Sequence, residues 1–202
     1  PRTVERMLPS SLALSPARVL ADDTAPVPSP KLFFNVYQVD AGIAMRGMRA
    51  EVVTLAQQRD TGHARLVVLD CLTNTLQWDP VHGVRRPNAR FFRPSGTRAN
   101  HYALGVSHGR DRLMLRALRG QTRPLDYRFA VEANHECYFQ NVDKPYAMSF
   151  NASNILTRVR DLHPCDLTNT FWRDVRSDRP SHVFHHEQTK FFDVDVSSFG
   201  RE

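Results

Sequence analysis

The sequence predicts a mainly β protein: a single-domain, bent antiparallel β-barrel of eight or nine strands with one or two short helices. Three observations carry that expectation. Apolar and polar residues alternate with period two through most segments, as in strands with one buried face. Turn signals built on Gly, Pro, Asn and Asp recur between those segments. A sheet of that many strands removes its exposed edges by closing on itself or by packing on a second sheet.

The elements follow in chain order. "RTVERMLPSSLALSPARVL" holds one short helix around Val4 to Leu8, stopped by Pro9. "ADDTAPVPSP" then reads as an extended, proline-punctuated linker, so residues 1–30 form an N-terminal arm and residues 31–202 the β domain. "KLFFNVYQVD" is aromatic and β-branched and ends at the Ala41-Gly42 turn. "MRAEVVTLAQQ", the turn "RDTGHA" and the apolar run "RLVVLDCLTNTLQW" come next, then a turn at "DPVHG". "HYALGVSHGRDRLMLRAL" is a hairpin: Tyr102, Leu104 and Val106 line one arm, Leu113, Leu115 and Ala117 the other, with Gly109 at the turn. From Leu125 to Gln140 the alternation predicts a long strand whose buried face includes Tyr127, Phe129, His135 and Cys137. After the "NVDKP" turn, "YAMSFNASNILTRVRDL" gives one or two more strands, and "HVFHHEQTKFFDVDV" closes the set with Phe192, Val194 and Val196 on one face. A second helix is expected, if anywhere, within 167–176.

Composition narrows the function classes. The net charge is +6, but 24 of the 27 basic residues are arginine, scattered along the chain. Nucleic acid is therefore disfavoured as a partner, since a groove-tracking protein shows a basic stripe interleaved with exposed aromatics. No apolar run approaches the roughly 20 residues of a membrane helix, so no membrane span is expected. The three cysteines form no CxxC pair and leave one unpaired in any disulfide scheme, which favours a reducing, intracellular setting, cytoplasmic or organellar. The start at Pro1 reads as a processed or trimmed end. No signal peptide, Gly-rich phosphate loop, GxSxG elbow or HExxH is present, which disfavours nucleotide-binding enzymes and the common hydrolases.

Candidate site residues are polar groups where the pattern calls for core. His135 on a buried face needs partners for both ring nitrogens, either as a satisfied core histidine or as an acid/base group lining a cavity. Cys137, two residues on, lies roughly 6–7 Å along the same strand by the strand rise, too far to pair with it. Asp70 sits inside an apolar run and is either half of an ion pair or an active-site acid. Arg46, Arg49 and Glu51 gather around Gly47, and an arginine aimed inward is a ready anchor for a carboxylate or phosphate. His135, Glu51 and Asp70 are thus the catalytic candidates; Arg46, Arg49, Tyr37 and Phe129 are the ligand-binding ones. The spacing of His182, His185, His186 and Glu187 matches no established zinc pattern, and no metal or cofactor is expected.

The order of "MLPSSLALSP", "KLFFNVYQVD", "AMRGMRAEVVTLA" and "RDTGHARLVVLD" resembles the acetoacetate decarboxylase-like superfamily over residues 7–80. The resemblance implies a bent barrel enclosing an apolar cavity that suits small keto acids. That family uses a Schiff-base lysine activated by an adjacent second lysine. Lys31, Lys144 and Lys190 stand far apart in this chain, so the chemistry implied is lyase-like or isomerase/cyclase-like without a Schiff base. The functional expectation is a small-molecule-binding barrel using acid/base chemistry on an apolar, keto or carboxylic acid. The alternative is a non-catalytic accessory subunit or interaction protein, engaging a partner or a second copy through its N-terminal arm.

Overall fold

The computed structural model describes residues 2–24, 28–39, 46–74, 85–86, 88–95, 100–139, 146–152, 157–171, 183–185 and 192–198. It is mainly β. After a single helical turn, α1 (Arg2–Glu5), come β1 (Leu12–Leu14), β2 (Pro16–Ala17), β3 (Ser29–Pro30), β4 (Leu32–Val39), β5 (Gly47–Gln58) and β6 (Ala64–Thr73). There follow β7 (Arg85–Arg86), β8 (Arg90–Phe92), β9 (His101–His108), β10 (Asp111–Pro124), α2 (Tyr127–His135), β11 (Glu136–Phe139), β12 (Tyr146–Ala152), β13 (Arg158–Asn169), β14 (Phe184–His185) and β15 (Phe192–Ser198).

These strands fall into two main sheets and a ribbon. The first sheet runs β1-β5-β6-β11-β12-β15, with β4 also on β5 and β7 also on β6. The second runs β14-β13-β10-β9-β8, and β2 pairs with β3. The ladders are antiparallel except where β7 and β11 join β6. Among the described residues no ladder joins the two main sheets.

β5 explains the layering. Residues 49–56 are buried without interruption, which an antiparallel strand shows only when both its faces are covered. On one face Val53 and Leu55 pack with Val68, Leu66, Cys71, Ala17 and Phe129, the last from α2. On the other, Ala50 and Val52 pack with Leu72 and, from the second sheet and its flanks, with Val106, Leu113 and Phe171. The first sheet is therefore the middle layer, with α2 and Ala17 of the arm on one side, and the second sheet, with Leu8 and Leu12 of the arm, on the other.

The β9–β10 hairpin has the expected register: Val106 opposes Leu113, Leu104 opposes Leu115 and Tyr102 opposes Ala117. Gly109 turns it at φ 59°, a left-handed conformation that glycine adopts without strain. The arm is tied down by its own chain. β1 pairs with the end of β5, Leu20 bridges to Leu125, and Arg123 binds Asp22 at 2.5 Å. Leu12, Ala17, Val19 and Leu20 are all core residues.

The long strand expected over Leu125–Gln140 is not formed; residues 127–135 are helical and only 136–139 extend. Exposure decides between the two patterns. A strand buries Tyr127 and exposes Ala130, whereas Tyr127 is 73% exposed and Ala130 only 1%. Asp126 starts the helix: its Oδ1 accepts the Phe129 amide at 3.1 Å, and its carbonyl accepts the Ala130 amide. Short apolar runs satisfy both periods, and here the cap outweighs the alternation. Of the expected second helix, 167–169 belong to β13. Residues 172–176, the turns at 41–42, 79–83 and 141–145, Lys144, His182, His186, Glu187 and Lys190 lie outside the described residues.

Candidate functional site

One face of β4, β5 and β6 changes character along its length. At one end it is apolar, with Phe33, Val53, Leu55, Leu66 and Val68. Toward the other end the register sets four cross-strand pairings side by side. Asn35 opposes Glu51, Tyr37 opposes Arg49, and on the far side of β5 Cys71 and Thr73 oppose Glu51 and Arg49. The result is a block of six residues, two per strand, continuous with an apolar floor.

A bulge creates this block. The β5–β6 register runs Val52 to Asp70 and then Val53 to Val68, so Leu69 is the extra residue. Because side chains alternate with period two, one extra residue swaps the faces beyond it. Val68 and Leu66 face the apolar floor, and past the bulge it is Cys71 and Thr73, not Asp70, that continue that face. Asp70 shares the opposite face with Val52 and Leu72, and its Oδ1 accepts the Cys71 amide at 2.9 Å.

The charged residues of the block are buried, and its side chains bond to one another and to the backbone. Arg49 and Glu51 are 5% and 4% exposed. The Tyr37 hydroxyl donates to Glu51 Oε1 at 2.8 Å, and the Cys71 thiol lies 3.8 Å from the same oxygen. Thr73 donates to the Met48 carbonyl at 3.2 Å. Tyr37 lies on β4, which borders β5, and 37% of its surface is open to solvent, while its hydroxyl end is enclosed. Burial first, then the neighbouring Glu51 carboxylate, hold the Tyr37 phenol well above its ordinary range; Arg49, bonded to the same hydroxyl, pulls the other way. Tyr37 is thus a fixed proton donor, and Glu51 its acceptor. On the far side of β6, the register places Arg85 of β7 beside Cys71.

Tyr37, Arg49 and Glu51 therefore come together. Phe129 packs on Phe33 at 5.4 Å between ring centres, at the apolar end of the same face. Arg46 is exposed, immediately before β5. His135 is the last residue of α2, so the strand alternation that marked it as buried does not apply. Asn35, Cys71 and Thr73 belong to the block without having been singled out. Asn35 shares the parity of Tyr37 and was findable from it; Cys71 was hidden by the bulge. His185, from the histidine-rich segment, packs its ring on Tyr102 at 4.7 Å between centres and a 45° tilt, away from the block. No family model, curated protein or solved structure matches this chain.

Proposed function

We propose that the chain binds a small carboxylic or keto acid on the β4–β5–β6 face and moves a proton there. In this reading the first sheet curves as one half of a bent barrel, and the polar block is its reacting end. The observation that carries the reading is the Tyr37–Glu51–Arg49 cluster at the end of an apolar face, its two charged residues buried and Tyr37 partly open to solvent. Such a cluster suits a small acid that enters past the open side of Tyr37, with Arg49 holding the carboxylate. When the carbonyl of the acid displaces Glu51 from the Tyr37 hydroxyl, that O–H bonds to the developing oxyanion, and Glu51 takes the proton from the carbon beside the carbonyl and returns it there. No lysine is required, in keeping with a lyase-like or isomerase-like reaction outside Schiff-base chemistry.

Titration with pyruvate, acetoacetate and benzoate, followed by calorimetry, tests the reading. At least one of these acids binds the native chain, and Arg49→Met weakens that binding at least tenfold. If none of the three binds, or if Arg49→Met binds as the native chain does, the proposal fails.

A further inference from the structure

Several of the arginines that look scattered along the chain gather on the second sheet. In β8, β9, β10 and β13 alternate residues pack inward, Phe91, Val106, Leu113 and Leu167 among them, leaving a second set on the outer face. The register orders that set in rows. Arg90, Ser107 and Arg112 form one; Phe92, Gly105, Met114 and Thr168 the next; Ala103, Arg116 and Asp166 a third; His101, Leu118 and His163 a fourth. Arg93, just after β8, and Arg110, in the hairpin turn, are exposed beside the first two rows. Asp166 is the single carboxylate in these rows.

Phe92 marks the centre. It is 42% exposed, and its ring covers Gly105 so closely that a β-carbon there would overlap it. The glycine lets the ring rest on the sheet while the rest of its surface stays open. Arg90 and Arg112 are two strands apart, about 10 Å, and one row is about 7 Å from the next. Long guanidinium side chains thus surround an open aromatic surface on a sheet. Base stacking with phosphate contacts requires that combination, and a duplex cannot use it because its bases are already stacked.

We propose that this outer face binds single-stranded nucleic acid, with a base on Phe92 and the flanking phosphates on Arg90, Arg112 and Arg116. Arg116 is already aimed across the sheet, its Nη2 donating to the Ser95 carbonyl at 3.1 Å. The +6 net charge of the chain works in the same direction. This surface lies on a different sheet from the Tyr37 block and stands independently of it.

Fluorescence anisotropy on the full chain tests the proposal, using short labelled oligouridylate and oligothymidylate, a duplex of equal length and polyglutamate. At least one single strand binds more tightly than duplex or polyglutamate, with log affinity falling linearly in log salt. Phe92→Leu, which keeps an apolar cover on Gly105, weakens the single strand roughly tenfold, and Phe92→Tyr retains it. Arg112→Ala lowers the salt slope by about one. Equal binding of duplex or polyglutamate, no binding of either strand at low salt, or an unchanged affinity in a folded Phe92→Leu variant overturns it.

Discussion

Tyr37 and Glu51 define the account at the scale of single residues. A phenol whose pKa is raised in the folded state contributes stability that is complete below the unfolded value near 10 and is lost as pH rises through the folded value. The native chain therefore loses stability above about pH 10, and Tyr37→Phe flattens that loss; denaturant midpoints taken from neutral to alkaline pH check it. Glu51 has a different consequence. Its removal in Glu51→Ala strips the Tyr37 hydroxyl of its acceptor and takes a negative charge from beside Arg49. By the usual effect of breaking a buried polar partnership, the cost is about 2–4 kcal/mol, read from chemical denaturation. Tyr37, Arg49 and Glu51 were visible in the sequence because polar groups interrupted regular strands. Cys71 was not, since a bulge at Leu69 depends on how β5 and β6 pair and leaves no local mark.

At the scale of elements, strands were easier to read than the one substantial helix. β4, β5, β6, β9 and β10 carry sustained β-branched or alternating runs ended by turns, and Gly109 sits where the hairpin needs it. α2 is short, and its residues alternate as a strand would. The decisive local signal is Asp126, which accepts the Phe129 amide and lies just after Pro124. Asp126→Ala removes that cap and costs about 1 kcal/mol. Hydrogen exchange is expected to quicken in the first turn of α2 while the β9–β10 hairpin amides are unchanged. Equal quickening in both would show that Asp126 acts on the whole fold rather than on the helix.

At the scale of the molecule, the arm and the two sheets depend on each other. The pattern of 31–202 showed many strands but not their division, because which ladders join is set by long-range pairing, such as β6 with β11. The proline-rich linker was expected at residues 21–30; ahead of it, residues 12–20 supply core side chains and cover the edge of β5 at 56–58. Deleting residues 2–20 therefore lowers the thermal midpoint sharply and promotes association through the uncovered edge, as light scattering would report. A truncated chain with unchanged midpoint and monomeric behaviour would show the arm to be dispensable. β5, covered on both faces over residues 49–56, is the frame that holds the polar block beside its apolar face. The most direct test of that block is the affinity of the native chain for pyruvate, acetoacetate and benzoate beside that of Arg49→Met. The account predicts binding of at least one acid by the native chain and a loss of at least tenfold in the variant; equal affinity in both, or no binding by the native chain, contradicts it.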